Sequence, residues 1–276
     1  GIIVLFTGLI LHPISSSAQL NKQKPRNLQD VGVEEQLGDK IPLDLTFATS
    51  KGDSVTLAEL LEDDKPVLLN PVYYECPMLC TMVIDAVFAG VKEVKWDPGK
   101  EYNIITFSID PEEDYKLAAA TKSGFIKKLN RENAEKGWYF LTGKEEVIRT
   151  LTEAVGFNYK KVEETDEYAH SAAIMFLSPD GVITRYLYGI SFDESNIRNA
   201  LYEAADGKIG STMEQIILSC YHYDPDSQSY LPVAWRILRL GGIVTLLFLG
   251  VFLGLLWLRE KKPNNDKNTE ITNGNF

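Results

Sequence analysis

An apolar run, Pro66-Val-Leu-Leu-Asn-Pro-Val-Tyr-Tyr74, passes through Glu75-Cys76-Pro77-Met78-Leu79-Cys80 into a helical pattern, and this junction constrains the fold more than any other feature. The run is bounded by charge and shows no period-two alternation, as expected of a strand buried on both faces. Pro71 inside it points to an irregularity near its end. From Pro77 to about Val94, apolar residues such as Met82, Val83, Val87 and Val91 recur at intervals of roughly one turn, which predicts a helix. Pro77 suits its first turn, where the missing N–H would have no intrahelical partner.

The same alternation continues along the chain. Residues 43–48 and 54–57 flank the turn cluster Ser50-Lys-Gly-Asp53 and are predicted to form an N-terminal hairpin. Residues 103–109 read as a second apolar strand, 112–135 as one or two helices ending near Gly137, and 138–141 as a short strand. A helix over 144–155 is stopped by Gly156. Residues 172–177 and 182–188 pair across Ser178-Pro-Asp-Gly181, and a last helix covers about 193–205. Strands alternating with helices make an α/β domain over 37–206, preceded by a polar, basic linker at 19–36.

Both ends are apolar, in different ways. Residues 1–18 hold a short apolar run followed by Ser16-Ser17-Ala18, the pattern of a secretory signal; without a starting Met or a basic first segment, it is expected to be truncated at its front. The alternative is a short anchor that stays attached. Leu240 to Leu258 carries no charge, and such a helix spans about 28 Å at 1.5 Å per residue, close to the hydrocarbon thickness. Trp235 and Trp257 lie near its ends, and Arg259, Lys261, Lys262 and Lys267 outnumber Arg236 and Arg239. The expectation is a transmembrane helix at 237–258, a juxtamembrane extension at 207–236 and a cytoplasmic tail at 259–276, with the domain outside the membrane. A net charge of −11 argues against a nucleic-acid partner. Three cysteines are too few for a disulfide scaffold.

Two cysteines four apart at a helix start sit about 6.2 Å apart on one face, near the upper edge of the disulfide range. The helix N-terminus favours thiolate, the form that attacks disulfides and ligates metals. Wider spacing than CxxC leaves room for an ion, and two thiolates with one imidazole suit Cu(I). A structural disulfide or two buried thiols is the plainer reading.

The stretch around Cys76 and Cys80 resembles the CxxxC signature of the Sco/SenC copper-chaperone family. Ser108-Ile-Asp-Pro-Glu-Glu-Asp114 and Tyr168-Ala-His-Ser-Ala-Ala-Ile-Met-Phe-Leu-Ser-Pro-Asp-Gly181 are similar to further family segments in the same order, as is the strand at 65–74. The resemblance covers roughly 37–206 and implies a thioredoxin-like fold, with His170 as third ligand beside Cys76 and Cys80. It also implies one copper ion as cargo, and the copper-containing subunit of cytochrome c oxidase, with its dinuclear copper centre, as recipient. Met78-Leu79 replaces the commoner acidic–aliphatic pair and Ala169 the acidic residue that often precedes the His, changes that bear on hydrogen bonding around the ligands.

Other residues carry alternatives. Asp110-Pro111-Glu112-Glu113 reads as helix initiation, with Asp110 as N-cap and Glu113 closing a capping box. Asp110 or Asp114 as electrostatic support near copper is the functional alternative. Cys220 and His222 read as a packed thiol beside a hydrogen-bonded imidazole, as a second transient copper site, or, for Cys220, as an intermolecular disulfide. The whole describes a copper carrier on the periplasmic side of a bacterial inner membrane, requiring no turnover. The rival is an anchored thiol–disulfide oxidoreductase with Cys76 as nucleophile.

Overall fold

The structure, a computed structural model, describes residues 31–75, 79–163, 167–206, 221–224, 229–232 and 234–260. The expected signal, most of the linker, Cys76, Cys220 and the tail beyond 260 lie outside these residues.

A seven-stranded sheet organises the domain, in the order β11-β10-β4-β5-β6-β2-β3. Its strands are β2 (Thr46–Thr49), β3 (Ser54–Thr56), β4 (Val67–Val72), β5 (Asn103–Ser108), β6 (Trp138–Thr142), β10 (Ala173–Leu177) and β11 (Ile183–Tyr188). β4, β5 and β6 run parallel, and every residue of β4 and β5 is buried, as their continuous apolar character predicts. β10 pairs antiparallel with β4 only as far as Leu69, so Pro71 lies past the end of that ladder. The missing N–H of a proline is tolerated there even though β4 is central.

β2 and β3 form the predicted hairpin, with Gly52 at φ +87° in its turn. The second strand stops one residue early, because Leu57 opens α1 (Leu57–Leu61). The Thr56 hydroxyl accepts from the Glu59 amide at 3.2 Å, and the Glu59 carboxylate accepts from the Thr56 amide at 2.7 Å, a complete capping box. Order also begins before Leu37: β1 (Gly32–Val33), inside the expected linker, pairs antiparallel with β7 (Phe157–Asn158).

Helices α2 (Leu79–Glu93), α3 (Tyr115–Leu129) and α6 (Glu194–Ala204) share one face of the sheet. The Trp138 indole donates to Thr106 Oγ1 at 2.9 Å and stacks on Phe140, while Phe125 of α3 packs against both rings. Phe107, the next residue after Thr106, points to the opposite face and meets Phe47 edge to face. α5 (Glu145–Ala154) covers that side through Ile148 and Leu151. The last turn of α2 and the residues after it are tied down from a distance: the Arg131 guanidinium donates to the carbonyls of Lys92, Val94 and Trp96. α3 ends at Asn130 in the left-handed conformation, and α4 (Ala134–Gly137) follows.

Between β7 and β10, two short strands pair antiparallel: β8 (Lys160–Val162) and β9 (Glu167–Ala169). Beyond α6, β12 (Tyr221–Asp224) and β13 (Ser229–Pro232) form a hairpin, and α7 runs from Ala234 to Glu260. Within α7, side chains are described at 238–239 and 241–257, where the large apolar ones are exposed. Taken over the residues whose side chains are described, no helical stretch is long and apolar enough to cross a membrane.

Candidate metal centre

His170 follows β9 directly and precedes β10, the strand antiparallel to β4. The antiparallel pairing returns the chain to the end of β4 that leads to the cysteines. There the imidazole packs edge to face on Tyr73, with centroids 6.1 Å apart, three residues before Cys76. A second ring in contact with it is Phe157, at 5.9 Å. Phe157, Tyr159, Tyr168 and Tyr73 follow one another in ring contact, at centroid separations of 6.4, 5.7 and 5.5 Å along that sequence, and so close a circuit of five rings with the histidine as one member.

This cage fixes both the orientation and the protonation of the ring. His170 is 9% exposed, and burial holds its imidazole below the ordinary histidine value, against a smaller opposite effect of the Ser171 carbonyl. Nδ1 lies 3.0 Å from that carbonyl oxygen. A neutral ring that donates through Nδ1 carries its lone pair on Nε2, the arrangement in which a histidine ligates a metal and is oriented by its other nitrogen.

The segment entering the cysteines is anchored on both sides. The Tyr74 hydroxyl is buried and donates to the carbonyls of Thr106 and Leu141 at 3.1 and 2.8 Å. Burial, with the nearby Glu113 charge, pushes its phenol well above the ordinary value. Glu113 accepts from the backbone amides of Tyr74 and Glu75 at 2.9 and 2.8 Å. The predicted capping box is therefore wrong. Glu113's oxygens are taken by these amides and by the Ser108 hydroxyl, so the residues after Asp110 form a turn. Asp114 is the N-cap of α3, accepting from Lys116 and Leu117 N–H at 3.0 Å each.

Asp110 accepts from the Glu112 amide at 2.9 Å and from the Tyr168 hydroxyl at 3.4 Å. Through Tyr168 and Tyr73 it stands two ring contacts from His170, whereas Asp114 is occupied by its helix. Cys80 is the second residue of α2, and His222 pairs with Leu231 in the β12–β13 hairpin. Cys76 and Cys220 lie outside the described residues. Among the described residues no three His, Cys, Asp or Glu side chains gather as a metal site. Sequence reasoning missed Glu113's grip and the aromatic circuit. The alternation of Phe157 and Tyr159 was a usable signal for the latter, since alternate residues of an extended chain share a face.

The SCO1/SenC family model matches residues 34–205, and the chain belongs to that family. Its fold is thioredoxin-like. No curated relative matches the chain. Among solved structures, a protein of Aquifex aeolicus VF5 provisionally assigned to electron transfer is 26% identical, with a TM-score of 0.54 over 62% of this chain and 96% of that one. A second, from the same organism and assigned in the same way to electron transport, is 26% identical, with a TM-score of 0.51 over 61% of this chain and 98% of that one. ScoI of Arabidopsis thaliana, solved with copper bound, is 19% identical, with a TM-score of 0.47 over 62% and 98% of the two chains. The Sco family is known in copper delivery and cytochrome oxidase assembly.

Proposed function

We propose that this chain is a membrane-tethered copper carrier, in which the thiolates of Cys76 and Cys80 and the imidazole of His170 hold one copper ion as cargo. The observation that carries this reading is the packing of His170 against Tyr73, three residues before Cys76. A neutral, caged imidazole with its lone pair on Nε2 complements two soft thiolates at a helix start, a donor set suited to Cu(I). Delivery is by ligand exchange: recipient thiolates or imidazoles replace Cys76, Cys80 and His170 one at a time, and copper keeps its oxidation state. The family association favours the copper-containing subunit of cytochrome c oxidase, with its dinuclear centre, as recipient. No catalytic turnover is needed.

The exposed apolar side chains of α7 and the charge asymmetry around 240–258 support insertion in a bacterial inner membrane, with the domain on the periplasmic side. Tethering raises the carrier's local concentration beside a membrane-bound recipient.

Cu(I) titration of the parent protein and of His170→Ala tests this assignment, run beside a disulfide-exchange assay. Loss of a direct ligand is expected to weaken binding by more than about 10–100-fold, the usual effect of removing an outer hydrogen-bond partner, with thiol activity retained. Equal affinities would remove His170 from the centre. A parent protein that exchanges disulfides without retaining copper would identify the oxidoreductase instead.

A further inference from the structure

One half-buried carboxylate beside this centre has no part in the copper reading. β4's last partner on β5 is Val72↔Ser108, so residues 73–75 carry the chain to Cys76 without strand pairing. Glu113 takes over where the ladder stops: Oε2 accepts from Tyr74 N at 2.9 Å, Oε1 from Glu75 N at 2.8 Å, and Ser108 Oγ donates to Oε2. Two oxygens on two successive amides fix the rotation of the backbone as well as its position, as in other bidentate charge-assisted pairs. Burial pushes the Glu113 carboxyl up, while the bonds from Ser108, Tyr74 and Glu75 hold it down. A carboxylate needed only to shape its own turn would meet the amides of that turn, as Asp110 and Asp114 do. Glu113 instead reaches across 39 residues of sequence to the backbone that leads into Cys76.

We infer that Glu113 is a positioning residue: by holding the amides of Tyr74 and Glu75 it fixes the backbone that leads into Cys76, and so tunes the redox equilibrium and metal affinity of the Cys76 and Cys80 thiols. This deepens the metal-centre reading and rests on it, since the consequence lies in thiol placement rather than in folding.

The test compares the full chain with Glu113→Ala, Glu113→Gln and Glu113→Asp, using three readouts. The first is amide hydrogen exchange. In Glu113→Ala the rates at Tyr74 and Glu75 should rise at least about tenfold, while those at Leu68 and Leu69 stay unchanged. The second is the dithiol–disulfide equilibrium of Cys76 and Cys80 against glutathione, in which glutathione disulfide takes up two electrons and two protons as the S–S bond forms. A shift of about tenfold, or about 30 mV, is expected in Glu113→Ala. The third is Cu(I) affinity, which should fall about tenfold with all three ligands present. Glu113→Asp keeps the charge but is one methylene short, so it should fall between parent and Glu113→Ala. Should Glu113→Ala fail to fold, Glu113→Gln, with one acceptor oxygen, decides by the same readouts.

Faster exchange with unchanged thiol equilibrium would make Glu113 merely structural and overturn the inference. A parent protein without Cu(I) affinity would sink the metal-centre reading separately. The thiol equilibrium would then decide the role of Glu113 alone.

Discussion

At His170, burial and ligand chemistry act in the same direction. The aromatic cage removes water from the ring and so disfavours the imidazolium, leaving the neutral form that a metal requires. The folded protein therefore binds fewer protons at this site than the unfolded chain. Its stabilising contribution is complete above the unfolded value of 6.5 and is lost as pH falls through the lower folded value. The urea midpoint of the copper-free protein should drop between about pH 7.5 and about pH 5, and the drop should be shallower in His170→Gln. Parallel profiles for the two proteins would contradict this. Cys76 and Cys80 were legible as candidates because they stand between an apolar strand pattern and a helical one, while His170 was a candidate through the family resemblance. Glu113 was not: its sequence position fits a capping box, and only the spatial approach of Tyr74 and Glu75 gives its oxygens other donors.

Among the elements, α2 matters most, because it starts at the cysteine motif and its second half is held by α3, α6 and Arg131. Gly90 faces α6 so closely that an added Cβ would lie 2.4 Å from Ile197 Cδ1 and 2.7 Å from the Phe192 carbonyl oxygen. Ile197 could turn aside; the Phe192 backbone could not without moving the start of α6. Gly90→Ala therefore sets the overpacking cost of about 1–3 kcal/mol against the gain of about 0.5–1 kcal/mol that alanine brings to a helix. The expected result is a net loss of stability in urea unfolding, and a stabilised variant would refute this packing. Strands with continuous apolar runs, such as β4 and β5, were readable from sequence, as were helices bounded by Gly156 or a clear period. β8 and β9 were missed because Lys160, Lys161 and Glu167 give them a polar character, and β1 because two residues carry no periodicity.

For the whole molecule, the proposed function requires the α/β domain to be held at a membrane by the apolar segment 240–258. The α/β layering was visible in the sequence, since the alternation of elements holds over the segment matched by the family; the start of order at β1, inside the expected linker, was not. The arrangement of small strands around the site was not, because it depends on pairings between distant residues such as Val33 and Phe157. If 240–258 is the tether, the full chain should stay with membranes after washing in high salt, and a chain ending at residue 232 should be released. Release of the full chain by salt alone would argue against insertion. The convergence of two sulfurs and one imidazole on a single copper ion is tested most directly by X-ray absorption at the copper edge of the loaded protein. The account predicts a first shell of two sulfurs and one nitrogen, with the nitrogen lost in His170→Ala. A shell without sulfur, or an identical shell in the variant, would contradict it.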